Sequence, residues 1–467
     1  MTAGDLVWRL ESAGVRLWHE DGLIRFDGPA GTVTDEVLDE LRSHRDAVAA
    51  LLAERGPEVV RVLPAAMEQQ RIWRALRHLA HPEVWLNCFY VDVGTRLHVG
   101  ALQTAMDKMI ARHELLRTAI TDRDGQAVLT VLRSAEAPVR TLPGDDLEAE
   151  CRAFAAELDF ARPPLTRLAV VRGTDILVLA AHHIITDGVT MDLFGRELGA
   201  LYREALDGIP ARLPPAEPFS SFADRERVWS QAHRREALAA RTAALGDPVK
   251  PLVSADDGGV SSSWLPLPAD DGPALRAVAQ RMRVPVFAVM AAACAIQLRE
   301  LTGRATSIIG MSADSRSDTE QHTIGLLRRH LPIRVEVRSG DTWRSLVRRC
   351  ADEVFQALRW PLLSCDDVER SWLGSDAGQH VFPQVLLTHL PGFSLGIDMG
   401  AGFVPWDEFV MAGSRCPLTL EITSGADGVR IGMEAAAGLV GRSTIQRLME
   451  RYAELLRDCA ARLDGDV

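Results

Sequence analysis

The segment ILVLAAHHIITDG, residues 176–188, sets an apolar run directly against a polar turn. A short run of this kind, bounded by turn residues, reads as a strand over 176–185 that is buried on both faces. Such a strand needs pairing neighbours on each side and cover above and below, which calls for a layered arrangement of helices and sheet. His182 and His183 fall at the end of the run. Side chains that are neighbours on a strand point to opposite faces, so the two histidines cannot share one role. One belongs to the core and the other to a cleft, and we assign His182 to the first and His183 to the second. Asp187 follows in the turn, placed to accept a hydrogen bond or to pair with an Arg, and Gly188 lets backbone approach a ligand closely. Two His followed by Asp-Gly at this spacing arises by chance in on the order of one in a thousand chains of this length at average composition. Zinc is a poor fit, because adjacent strand histidines diverge and no third His or Cys stands at ligand spacing. A serine hydrolase is not indicated either, since the chain has no GxSxG elbow.

The rest of the chain alternates helices and strands without a repeat. A first unit, residues 1–57, starts with a short helix carrying Leu6, Val7 and Leu10 on one face. The run VRLWHEDGLIRFDG then turns at Asp21-Gly22, a dipeptide that favours a two-residue hairpin. That turn pairs Leu17 with Phe26 and Trp18 with Arg25. Alternation sends Val15, Leu17, Ile24 and Phe26 inward and Arg16, Trp18 and Arg25 outward. Asp35 to Arg55 has a helical period, with a second start at Ser43 and Asp46, and Gly56-Pro57 closes the unit. Beyond it we expect a helix over 98–116, a hairpin at Asp124-Gly125, and a helix from Met191 to Leu206. A Pro-rich connector follows at 208–218. Later helices near 286–302, 342–358 and 442–463 interleave with strands near 306–312, 331–337, 384–389 and 418–434, where Asp427-Gly428 turns another hairpin. The order fits two mixed α/β halves, residues 58–235 and 236–467.

Charge and cysteine usage narrow the function. A net charge of −12 argues against a nucleic-acid or anionic-membrane partner. No apolar run reaches membrane-span length, and MTAGDLVWRLES lacks a signal-peptide pattern. The seven Cys show no CxxC spacing, and Cys88, Cys294 and Cys350 lie in apolar segments. A cytoplasmic protein with reduced thiols is the expectation.

HHIITDG resembles the HHxxxDG signature of the condensation-domain superfamily of nonribosomal peptide synthetases, whose fold is that of chloramphenicol acetyltransferase. Other stretches agree in order. Gln69, Arg71 and Trp73 resemble the family's opening Ala-Gln-x-Arg-x-Trp, and Asn87 falls where Tyr-Asn is frequent. RHELLRT, with Arg112 and Arg117, is similar to RHExLRT. Phe222-Ala223-Asp224 with Trp229 resembles Tyr-Ala-Asp-Tyr…Trp, and Ile324-Gly325 with Leu331-Pro332-Ile333-Arg334 frames IGxFVNTLPLR. The first unit resembles a tubulysin-type N-terminal docking domain of helix-strand-strand-helix-helix order. Departures occur at Leu327-Arg328-Arg329-His330, where Phe-Val-Asn-Thr is usual, at Val189-Thr190, in LRWPLL (358–363), and at Pro383 in VFPQV.

The resemblance implies two chloramphenicol acetyltransferase-like halves set as a V with a tunnel between them. It implies amide formation by attack of a carrier-bound amine on a carrier-bound thioester. Both reactants arrive on phosphopantetheine arms, with no cofactor or metal held by this chain. His183 is the implied catalytic residue, aided by Asp187 and the backbone at Gly188. Asp187 pairs with an Arg to fix the loop, and Arg316 is the candidate. His182, Arg112 and Arg117 are supporting residues. Arg329 either points into the tunnel, where it favours an acidic substrate, or points to solvent. The docking surface Arg16, Trp18 and Arg25 takes an acidic C-terminal segment of an upstream subunit, and a downstream acceptor carrier is the second partner. An epimerisation domain, which shares the signature, a free-standing acyltransferase of the same fold, and a degenerate family member acting as a non-catalytic recruitment platform stand as alternatives.

Overall fold

The computed structural model describes residues 2–56, 58–79, 81–249, 252, 260–374, 382–392, 395–409, 411, 415–425, 428–440 and 442–467. The first unit is α1 (Ala3–Ser12), β1 (Arg16–Glu20), β2 (Leu23–Asp27), α2 (Asp35–Ser43) and α3 (Arg45–Glu54). Thr2 and Asp5 form a capping box that starts α1. Asp21 and Gly22 both take positive φ, and the hairpin register is the expected one, Leu17 opposite Phe26 and Trp18 opposite Arg25. Leu6, Val7 and Leu10 pack with Val15, Leu17, Leu41, Val48 and Leu52. Two details differ from expectation. Phe26 is 44% exposed, because the core of the unit is closed by the helices and β1 and has no place for it. The cap of α3 is His44, while Ser43 donates back to Glu40 O as the last residue of α2.

Residues after this unit run through β3 (Val59–Pro64), α4 (Met67–Leu76), β4 (Leu86–Asp92), α5 (Val99–Arg112), β5 (Thr118–Arg123) and β6 (Gln126–Leu132). Then follow β7 (Arg140–Leu142), α6 (Leu147–Ala156), β8 (Thr166–Val171), β9 (Ile176–His182), α7 (Gly188–Asp207) and α8 (Phe219–Leu245). β9 lies between β4 and β8, antiparallel to both. Its Leu177 and Leu179 pack into one cluster and its Val178 and Ala180 into another, which is why the run is apolar throughout. The strand stops at His182, and His183–Ile185 is a single 3-10 turn. α7 starts three residues before the expected Met191, because Asp187 caps it. α5 ends at Arg112, with Glu114–Arg117 forming a separate 3-10 turn. Position 235, the expected division between halves, lies inside α8.

The second half contains β10 (Val260–Pro266), α9 (Asp271–Met282), α10 (Val286–Thr302), β11 (Thr306–Asp314), β12 (Arg328–Glu336), α11 (Trp343–Leu358) and α12 (Cys365–Leu373). It continues with β13 (Val385–Pro391), β14 (Gly396–Asp398), β15 (Phe403–Pro405), β16 (Asp407–Phe409), β17 (Leu418–Gly425), β18 (Gly428–Ala436) and α13 (Arg442–Ala461). Six strands pair in the order β10-β18-β17-β13-β11-β12. Leu418, Leu420 and Ile422 of β17 join the core under α10, α11 and α13, so the alternate residues Thr419, Glu421 and Thr423 face the other way. β17 and β18 pair up to Gly425 and Gly428, while Asp427 lies outside the described residues.

The halves interlock. β16 leaves the second half and pairs with β4, extending the sheet of the first. The β14–β15 hairpin lies against α7 so closely that a Cβ at Gly195 or Gly199 would come 2.1 Å from Gly396 O or 2.4 Å from Asp398 O. Among the described residues no single helix is long and apolar enough to cross a membrane; one bent pair, α9 with α10, passes on length and composition, and most of α10 is core. All seven cysteines are buried and free.

Candidate active site at the seam of the halves

Where the inner face of the six-stranded sheet meets β4, β16 and the start of α7, the two halves enclose a cavity of about 680 Å³. His183, Asp187 and Gly188 line it from one half, Arg328, Thr388 and Glu421 from the other.

His183 Nδ1 lies 2.5 Å from the carbonyl oxygen of Thr186. A carbonyl only accepts, so Nδ1 carries the ring proton and Nε2 keeps a lone pair. Burial, then the nearby Arg415 cation, pulls the imidazole down to about 3, so the ring is neutral at working pH. Trp85 packs beside it at 5.7 Å between ring centroids. The turn itself is pinned from α4: Gln69 donates to Ile184 O at 3.0 Å and accepts from Ala66 N at 3.1 Å.

His182 faces the opposite way, buried against the Phe160 ring, and its Nδ1 accepts from Ile184 N at 3.0 Å. Burial holds it near pKa 3 as well. We expect His182→Ala to lower stability by about 1–3 kcal/mol, because the buried Ile184 N–H loses its acceptor. Urea unfolding of both variants checks this, and a loss no larger than that of His183→Ala would contradict it.

Asp187 is the N-cap of α7, accepting from Thr190 N at 2.8 Å. Its carboxylate also spans the seam. Arg316 grips it through two nitrogens at 3.0 and 3.1 Å, and the backbone N–H groups of Leu327 and Arg328 donate at 2.9 and 3.1 Å. Burial alone would raise this carboxyl, but Arg316 and the amide donors outweigh it and hold it below the usual range. Gly188 opens the helix facing the cavity, where a Cβ would meet Leu390 of the second half at 3.1 Å.

Arg112 and Arg117 lie away from the cavity. Arg112 pairs with Glu197 of α7 at 2.7 Å, and Glu197 also takes His113 Nε2 at 2.8 Å. Arg117 Nη1 is buried with no hydrogen-bond partner among the described residues.

Arg329 points neither into the cavity nor to solvent. Its side chain is 0% exposed, paired with Glu226 of α8 and lying 5.3 Å over the Phe222 ring. Strand alternation is the reason: Arg328 and His330 of β12 take the cavity face, so the residue between them must face α8. The cation added to the cavity is therefore Arg328, which bonds Ser312 Oγ and O at 2.9 and 3.0 Å.

Arg415 is a site residue that sequence reasoning missed. It reaches from the second half to Val84 O at 2.8 Å and to Asn87 Oδ1, and covers the Trp85 ring at 5.6 Å. Its partners are more than 300 positions away, and nothing in its local sequence marks it. Far from the cavity, Arg16 stacks on Trp18 at 4.9 Å and donates to Val60 O at 3.1 Å, while Trp18 is half-buried and Arg25 is exposed. No group of three or more His, Cys, Asp or Glu among the described residues is arranged to hold a metal.

Comparison with known proteins gives two family matches, the Condensation domain over residues 59–360 and the TubC N-terminal docking domain over 4–54. A linear gramicidin synthase of Brevibacillus parabrevis is 26% identical over 437 residues, covering 87% of this chain and 6% of that protein. The bacitracin synthase 2 of Bacillus licheniformis is 20% identical over 492 residues, covering 98% of this chain and 18% of that protein. The chain spans less than a fifth of the curated relatives it matches. Among solved structures, the condensation domain from the monacolin K polyketide synthase MokA superposes with a TM-score of 0.74 at 17% identity, covering 88% of this chain and 99% of that one. The first condensation domain of the calcium-dependent antibiotic synthetase gives 0.72 at 20%, covering 86% and 97%. At these identities the likeness establishes the fold.

Proposed function

The chain belongs to the condensation-domain family and carries a docking domain of the TubC N-terminal type at its front, and on that premise we propose that it joins two carrier-tethered substrates through an amide bond. The observation that carries this reading is the His183 ring, fixed through Nδ1 with a lone pair at Nε2, on the wall of a cavity that both halves enclose.

The acceptor amine attacks the donor thioester carbonyl, the carbonyl π electrons move to oxygen, and collapse expels the thiolate. A free α-amine has a pKa near ~8, so much of it is neutral without help. An imidazole near 3 is too weak a base to deprotonate an amine before attack. Its part is to hold the amine N–H and to take the proton once nitrogen becomes cationic in the tetrahedral adduct, passing it to the departing sulfur. Tethering supplies much of the remaining acceleration. The helix start at Gly188 offers N–H groups for the developing oxyanion. The test is product formation from loaded donor and acceptor carriers, and a parent chain that yields no amide with any pair would remove the reading.

The donor side comes from an upstream subunit whose C-terminal segment adds to the hairpin as a strand. Arg25 gives it an acidic preference, and the exposed Leu23 and Phe26 of β2 give it apolar contacts. Trp18→Ala with Arg25→Glu should weaken association about tenfold or more and leave the melting curve unchanged. Calorimetric titration with the upstream subunit measures it, and equal affinity would refute the docking site.

A further inference from the structure

The inner face of the six-stranded sheet meets the cavity as rows of cross-strand neighbours. Two of these rows hold a carboxylate, Glu434 in one and Glu421 in the other. A third runs Pro266, Arg430, Thr423 and Leu390 and holds none. It leads from the edge strand β10 to Leu390 of β13, the residue that a Cβ at Gly188 would meet. Paired strands lie about 4.8 Å apart, so three spacings put β10 about 14 Å from β13. At the β10 end the cavity opens to solvent. Trp264 of β10 lines it and is 44% exposed. The indole lies over Gly432, where a Cβ would come 2.8–2.9 Å from three ring carbons, so glycine is what leaves room for it. Arg430 stacks on the same ring, 5.1 Å from its centroid. Its side chain is exposed and has no ion pair or hydrogen bond among the described residues. The other cations on the described wall are committed: Arg71 to Glu68, Arg328 to Ser312, Arg415 to Val84 O and Asn87.

We infer that this mouth admits a phosphopantetheine arm, with Arg430 holding the phosphate and Trp264 the dimethyl-bearing carbon. This rests on the amide-forming reading and assigns one entrance of the same cavity. In the arm a single methylene separates the phosphate from a carbon that carries two methyl groups. An anion and an apolar knob therefore sit side by side, as the free guanidinium and the indole face do here. From phosphate to sulfur the arm has the reach of about four extended residues, roughly 14 Å. That equals the span from β10 to β13, so a phosphate at Arg430 sets the thioester beside Gly188 at the start of α7. The row free of carboxylates gives the anion its place, and Glu421 and Glu434 turn it away from the other two.

Pantetheine and phosphopantetheine thioesters differ only by the phosphate, so their ratio isolates the Arg430 contact. We would measure kcat/KM for both as soluble glycyl acceptors with a carrier-loaded donor, then as soluble glycyl donors with a carrier-loaded acceptor. One series should favour the phosphorylated form by about fivefold or more at low salt. The series whose preference falls to within about twofold in Arg430→Gln tells which arm enters here. The ratio within each variant cancels any general loss of activity. Trp264→Ala should lower kcat/KM for both pantetheine forms about fivefold more than for N-acetylcysteamine thioesters, which lack the dimethyl group. A loss shared equally by all three would remove the indole from the contact. Equilibrium binding of S-methyl phosphopantetheine and S-methyl pantetheine to the whole chain separates the two hypotheses. Tighter binding of the phosphorylated probe that Arg430→Gln abolishes, without turnover, would sustain the entrance and remove the amide-forming reading. Equal binding of the two probes by the parent, or a phosphate preference that survives Arg430→Gln, would overturn the inference.

Discussion

Replacing His183 with Ala should cut amide formation by roughly 10²–10⁴-fold and leave the melting curve close to the parental one. The ring makes one hydrogen bond of its own, to Thr186 O, and faces the cavity, so little packing depends on it. Activity should not vanish, because two tethered reactants still meet at high effective concentration. The pH profile carries a further test. With the imidazole held near 3, it is neutral across the working range and contributes no inflection near ~6.5, where an ordinary His titrates. The rate should instead climb towards a pH near ~8 as the acceptor amine loses its proton. Single-turnover condensation on loaded carriers across mildly acidic to mildly alkaline pH measures both points. Condensation by His183→Ala at the parental rate would assign the chemistry elsewhere. A parental inflection near ~6.5 that disappears in the variant would mean the ring titrates as a free base.

What the sequence revealed follows the range of the forces involved. The hairpin register came from Asp21-Gly22 because a two-residue turn dictates pairing by local geometry alone. The opposite orientation of His182 and His183 was readable because alternation is a property of the backbone, even though the strand ends between them. Arg316 was a candidate for Asp187 by resemblance, and the two are in contact. Where the molecule departs from these local rules, the cause is long-range. Period alone places Phe26 inward, but whether a face is covered depends on how far the helices extend over it. Arg329 drew attention as a departure from a motif. The side it faces depends on the strand's absolute register, which fixes Arg328 and His330 towards the cavity and Arg329 towards Glu226 of α8. Arg415 and Glu408 belong to the site only because β16 and the segment before β17 cross to the other half, and no local pattern encodes that crossing.

Breaking the Asp187–Arg316 pair should give the largest stability loss of any single polar substitution at the site. Their side chains are 2% and 0% exposed, and the pair joins the start of α7 to the segment after β11 in the other half. Arg316→Met keeps much of the length of the side chain and removes the charge. Asp187 is then left as a buried carboxylate held only by the N–H groups of Thr190, Leu327 and Arg328. Removing one member of a buried pair typically costs about 3–5 kcal/mol, most of it from the charge left behind. The pH dependence follows from the direction of the Asp187 shift. Its folded-state value lies below the unfolded one, so the stability it contributes is full above a pH near ~3.9 and is lost as pH falls through the lower folded value. In Arg316→Met the main lowering influence is gone and burial dominates, so the folded value rises above the unfolded one. The sign then reverses: the ionised carboxylate now opposes folding, and the variant should recover part of its deficit as pH drops into the range where Asp187 takes up a proton. Urea melts of the parent, Arg316→Met, Asp187→Asn and the double variant, from about pH 4 to about pH 8, measure all of this. The two single losses should sum to more than the loss of the double variant, since the second substitution removes the orphan left by the first. Additive losses, or a deficit in Arg316→Met that is the same at both ends of that pH range, would mean that the contact is incidental. The HHIITDG turn would then be held by Gln69 and the helix cap alone.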